Sequence, residues 1–119
     1  MSKLVSAIIT THNRFALFKK ALDSVKNQTY KNIEIIVVTG NDNEALKLYM
    51  QKHPDIIYIT SQNSHPNVLR NLGTERASGK FIAFLDDDDT WMNNKIALQM
   101  ECFQLNNIAL CYTGKNIIN

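Results

Sequence analysis

Glycine is scarce in this sequence, with four residues in 119, and none of them belongs to a glycine-rich loop. No G-x-G-x-x-G follows the first strand-like run, which argues against a dinucleotide-binding fold. No G-x-x-x-x-G-K-[ST] occurs anywhere in the chain, which excludes a P-loop. The glycine-based signatures of nucleotide binding are therefore missing.

Cysteine is also rare, and long apolar runs are absent. The two cysteines, Cys102 and Cys111, form no C-x-x-C pair, so we expect buried or half-buried thiols in a reducing compartment. No apolar run approaches the roughly 20 residues that span a bilayer. The opening residues 1–4 pass into a strand-like run without a signal-peptide pattern. We therefore expect no transmembrane segment and a cytoplasmic chain.

Neither sign of charge is in large excess. The 13 basic and 11 acidic residues give a net charge of +2, which implies no polyanionic partner. The basic residues are scattered, without a basic arm or interleaved aromatic residues, which argues against binding of nucleic acid. A length of 119 residues with 45% apolar content predicts one small globular domain, or part of a larger one.

What the sequence does contain is a regular alternation of strand-like and helical segments. This alternation predicts an α/β fold. The strand-like segments are nearly all apolar, as expected for an open, mostly parallel sheet with helices on both faces. The predicted strands are residues 4–10, 33–38, 56–60 and 81–85, with a possible fifth at 108–112, and the predicted helices are residues 15–28, 44–52, 67–77 and 93–105.

Four consecutive aspartates, Asp86 to Asp89, follow the apolar run of the fourth predicted strand. Adjacent carboxylates repel one another unless a cation or amide donors offset the charge, and hard oxygen ligands suit Mg²⁺ or Mn²⁺. If the strand stays extended through residue 88, Asp86 and Asp88 point to one side and Asp87 to the other. The alternative is a solvated acidic turn that also caps the next helix.

Polar clusters follow three of the predicted strands, at residues 10–14, 39–43 and 86–89. In an open α/β sheet, ligands bind beyond the carboxyl ends of the strands, at the point where the strand order reverses. Loops are polar in many proteins, but three such clusters at one edge favour a ligand site there.

Several segments resemble, in the same order, motifs of the family 2 glycosyltransferases, which have the GT-A fold. Residues 5–14 are similar to the family's opening strand and T-x-N-R turn, and residues 24–38 to its S-x-x-x-Q-T-Y-x-x-x-E-I-I-V-V segment. Residues 63–89 are similar to its R-N-x-G and A-x-G-x-x-I-x-F-L-D-x-D-D block, and Trp91 and Lys95 fit the continuation. The resemblance therefore covers essentially the whole chain.

The resemblance implies transfer of a sugar from a nucleotide-sugar, which we expect to be UDP-linked, to an acceptor hydroxyl with inversion. It implies that Mn²⁺ or Mg²⁺, held by Asp88 and Asp86, offsets charge on the leaving diphosphate. Asp86 and Asp87 would lie near the ribose or metal-bound water, Thr10 and His12 would line the base, and Arg70 suits a phosphate or a base oxygen. The implied contacts to the nucleotide-sugar are Thr10, His12, Arg14, Asp42, Arg70, Asp86 and Asp87. Trp91 is expected to pack in the core beneath the acidic residues.

The sequence departs from the family pattern in two places. The family's acidic turn after the second strand is replaced by residues 39–43, in which Asp42 is the candidate to read the base. No general base is identifiable, so we name no catalytic residue and predict one incomplete domain over residues 1–119, the donor half. Its acceptor would be an unknown carbohydrate or a lipid-linked sugar. The alternative is a non-catalytic nucleotide-binding or assembly module, whose exposed sheet edge and apolar surface would favour dimerisation or binding of a partner chain.

Overall fold

The computed structural model describes residues 3–41, 43–106, 110–112 and 115–118 of the chain. Strands and helices alternate as predicted up to the fifth strand, and each predicted bound lies within two residues of the observed one. The strands are β1 (Val5–Thr11), β2 (Ile33–Thr39), β3 (Ile57–Thr60), β4 (Phe81–Asp86), β5 (Leu110–Tyr112) and β6 (Lys115–Ile117). The helices are α1 (Phe15–Lys26), α2 (Glu44–Gln51), α3 (Pro66–Arg76) and α4 (Lys95–Asn106).

The strands of the described residues form one sheet in the order β3-β2-β1-β4-β6-β5. All neighbouring pairs are parallel except β5 and β6. The chain moves outward from β1 through β2 to β3 and then returns to the other side of β1 as β4. The strand order therefore reverses between β1 and β4, which is where a ligand site is expected. There Thr10 is the register partner of Asp86.

Helices cover both faces of the sheet, which confirms the predicted layers. Successive side chains of a strand point to opposite faces. In β1, Ile9 and the residues two and four positions before it pack on one side of the sheet, and Ile8 packs on the other. The first side is covered by α1, α2 and α4, whose buried residues include Phe18, Leu46 and Ile96. The second side is covered by α3.

One strand of the observed sheet was not predicted. Strand β6, Lys115–Ile117, pairs with Phe81 and Ile82 of β4, and its three residues include only one apolar side chain. Such a short, polar segment has no periodicity that a sequence pattern can detect. The possible fifth strand is confirmed at Leu110–Tyr112, and residues 107–109 lie outside the described residues.

The described cysteine and the described helices agree with the expectations from composition. Cys102 is half-buried on α4, as expected, whereas the side chain of Cys111 lies outside the described part of the structure. The longest described helices have 12 residues, and none of those described is long and apolar enough to cross a membrane.

A buried glutamine joins α1 to the segment that follows the acidic residues. Gln28 is only 1% exposed, and its amide nitrogen donates to the carbonyl oxygens of Ser24 (3.0 Å) and Met92 (2.7 Å). Its amide oxygen accepts a hydrogen bond from the Ile96 backbone N–H at 3.0 Å. Since α4 begins at Lys95, this bond satisfies one of the free N–H groups in the first helical turn. The acidic residues lie too early in the chain to cap α4, so the alternative in which they cap the next helix is wrong.

Substituting this glutamine should destabilise the whole domain. We expect Gln28→Leu to lower the free energy of unfolding by about 2–3 kcal/mol, because it leaves buried backbone groups without partners. Urea denaturation followed by circular dichroism measures the change. The control is Gln51→Leu, the same substitution at an exposed position on α2. Equal stabilities for the two variants would contradict the structural role of Gln28.

Candidate functional site

The acidic residues form a turn at the end of β4. The strand stops at Asp86, and the Asp89 N–H donates to the Asp86 carbonyl oxygen at 3.1 Å, which closes a four-residue turn. The condition for strict alternation of these side chains, a strand that stays extended through residue 88, is therefore not met, because this hydrogen bond reverses the chain. The side chains nevertheless differ in exposure: those of Asp86 and Asp88 are each 54% exposed, and that of Asp87 is 9% exposed.

The acidic turn is hydrogen-bonded to the carboxyl end of β1. The Thr10 hydroxyl donates to Asp86 Oδ1 at 3.2 Å. The Thr11 hydroxyl and the His12 backbone N–H donate to Asp87 Oδ2 at 2.9 Å and 3.1 Å. The carboxylate of Asp87 is therefore directed toward the loop between β1 and α1.

Two arginines pair with the acidic turn. Arg14 Nη1 lies 3.0 Å from Asp88 Oδ2 and 3.6 Å from Asp87 Oδ1. Arg70 Nη2 lies 3.3 Å from Asp86 Oδ1. Ion pairs as exposed as these contribute little to stability, typically about 0–1 kcal/mol. Their significance is positional, because they bring guanidinium groups and carboxylates to one edge of the sheet.

A cleft of about 310 Å³ lies between these groups, at the low end of the size range of small-molecule sites. The structure brings together all but one of the residues predicted for the site, and Asp42 lies outside the described residues. The cleft is lined by Thr10, Thr11, His12, Arg14, Ser64, Pro66, Leu69, Arg70, Asp86, Asp87 and Asp88. Thr11, Ser64, Pro66 and Leu69 were not predicted. The only signal for Ser64 and Pro66 was their position in the polar loop that follows β3.

A second, larger cleft of about 650 Å³ lies on the other side of Asp86, against α4. Trp91 is buried at its base, which confirms that this residue packs in the core, and Lys95 Nζ lies 5.0 Å from the centre of the Trp91 ring. Burial lowers the pKa of Lys95, and the nearby Asp89 carboxylate partly opposes that shift. Met92 and Leu98 are exposed in the same cleft, so its wall presents both apolar and charged groups.

Comparison with known proteins identifies the family. The family described as "Glycosyl transferase family 2" matches residues 6–116, nearly the whole chain. The chain belongs to glycosyl transferase family 2. The expected GT-A fold is confirmed by the mannosyltransferase PcManGT of Pyrobaculum calidifontis, solved with GDP-Man and Mn²⁺. That structure superposes with a TM-score of 0.78 at 19% sequence identity, over 94% of this chain and 36% of the other.

Curated relatives of this family 2 chain are named glycosyltransferases. The GalNAc(5)-diNAcBac-PP-undecaprenol β-1,3-glucosyltransferase of Campylobacter jejuni is 40% identical over 85% of this chain and 34% of its own length. The UDP-Glc:α-D-GlcNAc-diphosphoundecaprenol β-1,3-glucosyltransferase WfgD of Escherichia coli is 35% identical over 98% of this chain and 47% of its own length. The chain thus spans less than half of either relative.

The acidic turn of this family 2 chain has oxygen donors suited to a divalent cation. Mg²⁺ and Mn²⁺ bind through one or two carboxylates together with substrate phosphates. Asp86 and Asp88 are half-exposed carboxylates that line one cleft. Among the described residues, no three His, Cys, Asp or Glu side chains converge as an all-protein metal cage would require. The donor set therefore fits a cation shared with a diphosphate better than a closed structural site.

Proposed function

We propose that this chain is the donor-binding part of a glycosyltransferase that transfers a sugar from a nucleotide-sugar to an acceptor hydroxyl with inversion. The observation that carries the proposal is the cleft at the β1–β4 reversal, where Asp86 and Asp88 lie beside Arg14 and Arg70. Carboxylates for a cation and guanidinium groups for phosphate oxygens are what a metal-bound diphosphate requires.

In this proposal, different residues of the cleft bind the base, the phosphate groups and the cation. Thr10 and His12, from β1 and its loop, line the base. Arg70, from α3, donates to a phosphate or a base oxygen, and Asp86 and Asp88 hold Mn²⁺ or Mg²⁺ at the turn. The bound cation would offset the negative charge that develops on the leaving diphosphate.

The acceptor and the general base are proposed to come from outside these 119 residues. Glu101, the one carboxylate on α4, is exposed in mid-helix and lines neither of the two clefts described above. The two relatives named above act, by their names, on sugars linked through diphosphate to undecaprenol. That supports a lipid-linked acceptor for this chain, and the named activities favour transfer over a non-catalytic module.

The nucleotide is proposed to be UDP. The Escherichia coli relative, 35% identical to this chain, is named for UDP-Glc. The Pyrobaculum structure holds GDP-Man, but at 19% identity its likeness extends to the fold alone.

Calorimetric titration of the chain with UDP and with GDP, each with and without Mn²⁺, tests the proposal. We expect UDP to bind more tightly than GDP, and Mn²⁺ to strengthen UDP binding by roughly 5- to 150-fold, the usual range for two coupled ligands. Tighter binding of GDP would overturn the choice of nucleotide alone. Absence of binding by both nucleotides would overturn the donor-binding function.

A further inference from the structure

Asp87 differs from the other carboxylates of the acidic turn. The whole residue is 7% exposed, whereas the side chains of Asp86 and Asp88 on either side are 54% exposed. Aspartate is almost never buried to this degree unless its oxygens are paired. The position of Asp87 therefore needs a specific set of partners.

All of those partners belong to one loop. Oδ2 of Asp87 accepts from the Thr11 hydroxyl and the His12 backbone N–H, and Oδ1 faces Arg14 at 3.6 Å. These three residues lie within the four-residue stretch from the end of β1 to the start of α1, and all three line the 310 Å³ cleft. One carboxylate thus contacts three separate groups of a single cleft wall.

The loop that Asp87 contacts has an irregular backbone. Asn13, between His12 and Arg14, has a φ of 57°, in the left-handed region that asparagine tolerates better than most residues. Arg14 stands at the N-cap of α1 and makes no side-chain capping hydrogen bond. Bonds from outside the loop are therefore needed to fix its shape, and the Asp87 carboxylate supplies two of them.

We propose that Asp87 is a positioning residue, which fixes the β1–α1 loop in the shape that receives the nucleotide. The inference rests on the proposed function and gives Asp87 a role in addition to the expected place near the ribose or metal-bound water. Asp87 is fixed to the loop while its neighbours in the turn face the cleft, so it sets the distance between the cleft's two walls. His12 is held through its backbone, and Arg14 is held within reach of Asp88.

The test combines amide hydrogen exchange with calorimetry on the 119-residue chain. In Asp87→Ala, the His12 amide should exchange at least about tenfold faster relative to Val37, a buried residue of β2 that reports global opening. The dissociation constant for UDP with Mn²⁺ should rise by about 10- to 100-fold, the usual effect of losing a group that orients ligand-binding residues. Asp87→Asn keeps an oxygen acceptor for Thr11 and His12 and should restore the protection of the His12 amide.

The control is Asp55→Ala, which removes the same charge from an exposed loop and should change neither measurement. Unchanged UDP binding in Asp87→Ala, or equal acceleration of His12 and Val37, would overturn the positioning role and leave the proposed function standing. Absence of binding of both UDP and GDP by the unaltered chain would overturn the proposed function and this role with it. If Asp87→Ala does not fold, Asp87→Ser is measured in its place with the same expectations.

Discussion

Replacing Asp88 by alanine should abolish the effect of Mn²⁺ on UDP binding. Asp88 is half exposed at the cleft, and its carboxylate is one of the two proposed ligands for the cation. Loss of an outer-shell residue already weakens a metal site by about 10- to 100-fold, so loss of a direct ligand should do no less. The coupling between Mn²⁺ and UDP, expected at about 1–3 kcal/mol, should therefore fall to zero.

The same substitution should leave metal-free binding intact. Arg14 Nη1 lies 3.0 Å from the Asp88 carboxylate, and removing that carboxylate frees the guanidinium group for a phosphate oxygen. We expect UDP affinity without Mn²⁺ to be equal to or higher than that of the unaltered chain, which distinguishes loss of a ligand from unfolding. Asp55→Ala serves as the charge control. A variant that lacks Asp88 and still responds to Mn²⁺ would show that the cation binds elsewhere.

Replacing Gly73 by valine should cost about 3 kcal/mol of the free energy of unfolding. Gly73 lies on the buried side of α3, and a Cβ atom built on it would lie 2.5 Å from Cγ2 of Ile8 and 3.3 Å from Cγ2 of Val38. Both neighbours are fully buried in the sheet, so they cannot move aside. The helix must then shift away from β1, and a loss of this size is a large part of the 5–15 kcal/mol that stabilises a typical domain.

The matched control is Asn71→Val, on the exposed side of the same helix. It introduces the same β-branched side chain without a steric clash and should cost no more than about 0.7 kcal/mol through helix propensity. Thermal and urea unfolding of both variants measure the difference. Because α3 also carries Arg70, the Gly73 variant should bind UDP more weakly even where it remains folded. Similar losses at the two positions would contradict close packing of α3 on the sheet.

The fold could be predicted because the relevant signals are local. Apolar runs that end in polar residues mark β1 to β4, and the helical spacing of residues such as Phe18 and Leu22 marks α1. Gln28 shows the limit of such signals. By its type it resembles a surface residue at the end of a helix, yet it is buried because its partners, Met92 and Ile96, come from a segment far along the chain.

The sequence predicts most of the residues that line the candidate site, but not the directions in which their side chains point. The sequence placed Asp86 and Asp88 at the end of β4, and the resemblance to the family added Thr10, His12 and Arg70. Which carboxylate faces inward depends on the hydrogen bond that ends the strand and on the loop between β1 and α1, whose groups donate hydrogen bonds to Asp87. The contributions of Ser64 and Leu69 depend on how α3 packs on the sheet. Such tertiary contacts have no periodic pattern in the sequence.

The hydrogen bonds of Gln28 also bear on the order in which the chain folds. Two of them join residues 64 and 68 positions apart, so the first turn of α4 lacks this acceptor until α1 is in place on the sheet. Contacts of such long separation form late, because the intervening chain must first be ordered. The helix that follows the acidic turn is therefore expected to consolidate only with the whole domain, as one step of a cooperative transition.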